Sequence, residues 1–123
     1  MKQHCLIFIG ATSRLREVIE ESYRKAIAAK SSDLIICIVT NCSIREVIPQ
    51  VRDIFLHNIV FGITMYLFSY GEMEKMFSEM ERVVDKGNSD ITIYVTRDHK
   101  EIADKIMQTL KEMKIEVKEV KIL

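Results

Sequence analysis

With 123 residues, 48% of them apolar and 29% charged, the chain has the size and makeup of one globular domain, not of a disordered or fibrous protein. Eighteen Lys and Arg balance eighteen Asp and Glu, so no global field draws it to duplex nucleic acid or to a membrane surface. Three cysteines without a CxxC spacing and three scattered histidines outline neither a disulfide framework nor a zinc site, so no metal and no cofactor is expected.

The first apolar run, Leu6 to Ile9, is too short for a signal-peptide core or a membrane span and reads as a strand buried on both faces. With no targeting segment before it and no paired cysteines, a cytoplasmic location is expected. Leu15, Val18, Ile19, Tyr23, Ala26 and Ile27 then follow the i, i+3, i+4 spacing of an amphipathic helix. Leu34 to Val39 is a second solid strand. Val47, Ile48, Val51, Ile54, Phe55 and Ile59 make a second helical stretch. Because Pro49 lacks an N–H, this helix is expected to begin near Pro49, with Ser43 to Ile48 as a looser lead-in.

Ile63 to Phe68 is the third strand. The stripe Met73, Met76, Phe77, Met80, Val83 and Val84 is the third helix, read as core packing and expected to stop at Gly87. Ile91, Ile93 and Val95 alternate with Thr92, Tyr94 and Thr96 in a fourth strand. Ile102, Ile106, Met107, Leu110 and Met113 form a fourth helix. Ile115 to Leu123 alternates apolar residues with Lys and Glu, as an edge strand kept soluble by charge does.

No linker interrupts this β-α-β-α-β-α-β-α-β order, so residues 1–123 form one Rossmann-like α/β domain. It should hold a parallel sheet of about five strands with helices on both faces. The order 3-2-1-4-5 is preferred over 2-1-3-4-5 because it centres the unbroken apolar runs of strands one and two.

Ligands of such sheets bind beyond the strands' carboxyl ends, where the strand order reverses. The loops meeting there are Gly10-Ala11-Thr12-Ser13-Arg14 and Thr96-Arg97-Asp98-His99-Lys100, with Thr40-Asn41-Cys42-Ser43 beside them. Hydroxyl and amide groups, helix N-termini and the basic Arg14, Arg97, His99 and Lys100 suit a phosphate-bearing or other anionic ligand. The competing reading is helix capping. Ser13, Ser43, Ser69 and Asp98 all stand where N-caps stand, and Ser43/Glu46, Ser69/Glu72 and Asp98/Glu101 have capping-box spacing. Arg14 and Lys100 oppose the helix dipole. Asp98 offsets Lys100, whereas Arg14 is read as having no such neighbour. Cys42 lies too close to Arg45 to build a phosphatase-type cradle, and Cys5 and Cys37 read as core filler. No G-x-G-x-x-G or P-loop is present.

Ile9-Gly10-Ala11-Thr12-Ser13, Val39-Thr40-Asn41 and Val95-Thr96-Arg97-Asp98-His99-Lys100 resemble motifs of the CRISPR-associated Rossmann fold (CARF) domains. In that family a Gly-[Ser/Thr] turn ends the first strand, a hydroxyl residue ends the second, and a Thr-Gly-Gly-x-Lys turn opens a later helix. Here the last turn keeps Thr96 and Lys100 but neither glycine. The resemblance implies a cyclic oligoadenylate held by Gly10, Thr12, Ser13, Arg14, Thr40, Asn41, Thr96, Arg97, His99 and Lys100, across the two-fold axis of a homodimer. It implies either a sensor for antiviral defence or a metal-independent ring nuclease. In the nuclease, Lys100, Arg97 or Arg14 would stabilise charge on phosphate while an RNA 2′-hydroxyl attacks. A protein-interaction domain without small ligand is the remaining alternative.

Overall fold

The computed structural model describes residues 1–56 and 61–123. Ile59 and the Phe55 side chain, named above, and His57, one of the three histidines, lie outside the described set. The strands are β1 (Gln3–Ile9), β2 (Asp33–Val39), β3 (Gly62–Phe68), β4 (Ser89–Val95) and β5 (Glu119–Ile122). Between them run α1 (Leu15–Ala28), α2 (Ile44–Val51), α3 (Met73–Val83) and α4 (Lys100–Glu112). The sheet order is β3-β2-β1-β4-β5 and every neighbouring pair is parallel. This is the Rossmann-like order that the solid apolar runs favour.

The side-chain period of two divides the core. Cys5, Ile7, Ile9, Ile35, Cys37 and Val39 meet Met76 and Met80 of α3 and Ile106 and Leu110 of α4. Leu6, Phe8, Leu34, Ile36 and Ile38 meet Val18 and Ile19 of α1 and Val47 and Val51 of α2 on the other face. Each fully buried aliphatic or aromatic side chain contributes about 1.5–3 kcal/mol relative to exposure, so the doubly covered β1 and β2 anchor the fold. The edge strands β3 and β5 are only half covered. Among the described residues no helix is long and apolar enough to cross a membrane.

Three boundaries differ from the sequence reading. Helix α2 begins at Ile44, not near Pro49, because Ser43 and Glu46 form a capping box in which the Glu46 carboxylate accepts the Ser43 N–H at 3.0 Å. Pro49 is carried inside that helix, which tightens to a 3-10 turn over Arg52–Leu56. Helix α3 ends at Val83 when Val84 turns extended, and Gly87 (φ +81°) serves the turn into β4 instead. The tail pairs as a strand only over Glu119–Ile122.

Helices α1 and α4 end on a lysine in the left-handed region, Lys30 (φ 53°) and Lys114 (φ 61°). Each closes a Schellman motif: Ser31 N–H donates to Ala26 O at 3.0 Å, and Ile115 N–H to Leu110 O at 2.8 Å.

Candidate functional site

After β1 the chain passes to α1 on one face, and after β4 to α4 on the other. The carboxyl ends of these neighbouring strands are therefore where the sheet's connections diverge. Gly10 closes β1 at φ +132°, and a Cβ there would fall 2.0 Å from Thr96 Oγ1. Only glycine lets the first loop lie flat against Thr96. Thr96 N–H donates to Ile9 O and Gly10 N–H to Val39 O, both at 3.0 Å, so the ladder runs one residue past the strands.

From this seam the four strand-end loops join in a circuit. The Thr12 hydroxyl donates to Cys42 Sγ at 3.9 Å, and Cys42 N–H donates to Thr40 Oγ1 at 3.1 Å. Asn41 Oδ1 accepts the Tyr70 N–H at 3.3 Å, tying the loop after β2 to the loop after β3. The Tyr70 and His99 rings lie 5.2 Å apart, centre to centre, at 47°. His99 Nδ1 shares a hydrogen bond of 2.9 Å with Thr96 Oγ1, which returns the circuit to Gly10. His99 is thus fixed by a hydroxyl on one side and an aromatic ring on the other. Burial, with a smaller contribution from Cys42, pushes the Tyr70 phenol above its ordinary range, so it stays a neutral hydrogen-bond donor.

The residues expected at the site separate into three groups. Gly10, Thr12, Thr40, Asn41, Thr96 and His99 belong to the circuit. Arg97 and Lys100 stand exposed on the turn and helix start that carry His99, and among the described residues neither forms an ion pair. Ser13 and Arg14 are not part of it. Ser13 borders a separate groove with Arg16, Glu17, Glu20, Arg24 and Gln50. Arg14 does have an acidic neighbour: Glu17 takes its guanidinium at 2.9 Å, one turn along α1. Glu17 thereby answers the dipole conflict at this helix start.

The capping expectations also divide. Ser43 and Ser69 form capping boxes, and the Ser69 N–H holds the Glu72 carboxyl below the usual carboxylate range. Ser13 and Asp98 do not cap. Each sits inside a 3-10 turn, Thr12–Arg14 or Arg97–His99, whose cap positions are Ala11 and Thr96. Tyr70 and Cys42 are members of the circuit that the sequence reading did not assign to a ligand. The available signal for Tyr70 was its place two residues after the end of β3, matching that of Arg97 after β4.

Cavities elsewhere suit an anion less well. One of about 440 Å3, at the opposite end of β4, is lined by Lys2, Lys86, Lys114 and Lys118 together with Asp85, Asp90 and Glu116. Asp90 there takes both Lys2 (3.4 Å) and Lys118 (3.5 Å), so the charge is spent internally. Among the described residues no three His, Cys, Asp or Glu side chains gather as a metal site.

A family model described as a family of unknown function, DUF5751, matches residues 7–121. The chain belongs to this family. The match runs from β1 to β5, so the DUF5751 signature spans the whole sheet and all four strand-end loops. A crystal structure of a hypothetical protein from Sulfolobus tokodaii is similar to this DUF5751 chain with a TM-score of 0.73 at 16% identity, covering 88% of this chain and 85% of that one. That likeness extends the fold beyond close sequence relatives. None of the curated proteins compared matches this chain.

Proposed function

We propose that this chain is a ligand-binding domain of the CARF kind, taking a cyclic oligoadenylate or a related phosphate-bearing ligand at the crevice between β1 and β4. The observation that carries the reading is the Gly10–Thr96 seam. There Thr96 packs directly on Gly10 and fixes the start of the fourth loop beside the first, and His99, Arg97 and Lys100 all start from the same turn. Two cations without ion-pair partners among the described residues, beside a helix start, favour an anion over a neutral ligand. The Tyr70 ring adds a surface on which a base can stack. A second copy across a two-fold axis would cover a ligand lying on these loops.

The fixed imidazole favours one further reading, that of a ring nuclease. In the tautomer that carries its proton on Nδ1 and donates it to Thr96 Oγ1, His99 Nε2 can take the proton of an RNA 2′-hydroxyl. The 2′-oxygen would then attack the adjacent phosphorus and form a 2′,3′-cyclic phosphate, the P–O5′ bond breaking as the 5′-oxygen takes a proton from solvent, with Lys100 or Arg97 balancing the charge on the phosphate.

A thermal-shift series with linear and cyclic oligoadenylates tests the binding. At about 100 times the dissociation constant, a specific ligand stabilises the fold by about 2.7 kcal/mol. The rise should vanish in Arg97→Ala and Lys100→Ala. A melting temperature unmoved by every nucleotide would leave the circuit as loop architecture and the protein as an interaction domain. Chromatography of the incubated ligand separates sensor from nuclease.

A further inference from the structure

The two edges of the sheet are treated differently. The β5 edge is four residues long and charged, with Lys121 held by Glu21 of α1 at 3.1 Å, which is how proteins blunt an edge. The β3 edge is seven residues long, Gly-Ile-Thr-Met-Tyr-Leu-Phe, and carries no charge at all. We propose that β3 pairs antiparallel with β3 of a second copy, about a two-fold axis through Met65, to give a continuous ten-stranded sheet.

Three observations choose a second copy as the occupant. The first is pattern. About Met65 the strand reads almost the same in both directions, so Ile63 falls opposite Leu67, Thr64 opposite Tyr66 and Met65 opposite itself. Apolar meets apolar on one face, and a β-branched residue meets an aromatic one on the other. The second is charge. A two-fold axis brings each residue near its own image, where any Lys or Glu would meet its like, and β3 has none.

The third is area. Backbone pairing over seven residues falls short of the about 800 Å2 per partner of a standard interface. Helix α2 supplies more. Val47 and Val51 face the sheet, and α1 packs on the flank of Pro49, Gln50 and Asp53, with Arg16 donating to Pro49 O at 2.6 Å and pairing with Asp53 at 3.4 Å. At about 100° per residue, Ile44 and Ile48 lie on the opposite flank of α2, away from α1 and toward β3. They are 60% and 49% exposed, and Leu67 on the same face of the sheet is 37% exposed. The axis stands perpendicular to the sheet, so α2 meets its own image on that face and these side chains are covered together.

The pairing does not depend on the ligand reading, because it leaves both crevices open at opposite ends of the joined sheet. Sedimentation velocity over a concentration series tests it. The wild-type chain should sediment as a dimer, and Thr64→Lys and Leu67→Lys as monomers that melt as the wild-type chain does at dilutions where it too is monomeric. Thr64 is exposed, so its substitution tests pairing without disturbing the core. In a Cys42→Ser background, Met65→Cys should form an intermolecular disulfide with diamide as oxidant, while Glu74→Cys on α3 should not. A wild-type chain monomeric at every concentration, or a dimer indifferent to both lysines, overturns the proposal.

Discussion

Two residues report most directly on how the site and the core are held. Gly10 combines a positive φ with contact against Thr96, so Gly10→Ala meets both backbone strain and a steric clash. We expect a loss of about 2–4 kcal/mol in urea unfolding, together with loss of any nucleotide-induced thermal shift. His4 is the other. It is buried at the start of β1, and desolvation lowers its pKa, with Asp90 opposing and Lys25 and Lys118 reinforcing the shift. The fold therefore prefers neutral His4. Its contribution is fully present above the ordinary histidine value of about 6.5 and is lost as the pH falls from there through the lower folded value, because the unfolded chain takes up the proton first. Urea midpoints should decline between pH 7.5 and pH 5, before the low-lying carboxyls of Glu21 and Glu72 begin to titrate, and His4→Gln should flatten that decline.

At the scale of single elements, the helix ends are where local chemistry and local strain can be separated. Ser43 nucleates α2 ahead of Pro49, so Ser43→Ala should cost about 1 kcal/mol, and helix content should fall with it. Lys30 and Lys114 occupy left-handed positions that glycine fills without strain. Lys30→Gly and Lys114→Gly should each stabilise the protein by about 0.5–1 kcal/mol, read as a higher melting temperature. The two gains should add, since the sites close different helices. A null result at Lys114 alone would mean that its side chain, in the lining of the cavity at the start of β4, contributes what the backbone loses.

For the molecule as a whole, ligand and assembly give separable signals. A β3-paired dimer holds two crevices at opposite ends, so a ligand bound independently at each should leave the sedimenting mass unchanged. A ligand shared between crevices of different dimers should raise it. Titration calorimetry alongside sedimentation distinguishes one ligand per chain from one ligand per two chains.

The sequence by itself determined the architecture, because alternating solid and helical apolar periods admit few arrangements, and the runs Leu6–Ile9 and Leu34–Val39 have to be covered on both faces. It also brought the Gly10 and Thr96 loops to the reversal of strand order, since topology alone places them there. What it left open depends on side-chain reach, which no spacing encodes. That Arg14 is held by Glu17, that Ser13 opens onto another groove, and that Tyr70 crosses to His99 were decided by the tertiary structure, which turns each loop toward one face of the sheet or the other. The same holds for Pro49. Its missing N–H is a local fact, but whether a helix could begin before it depended on the capping box that Ser43 and Glu46 form when the chain leaves β2.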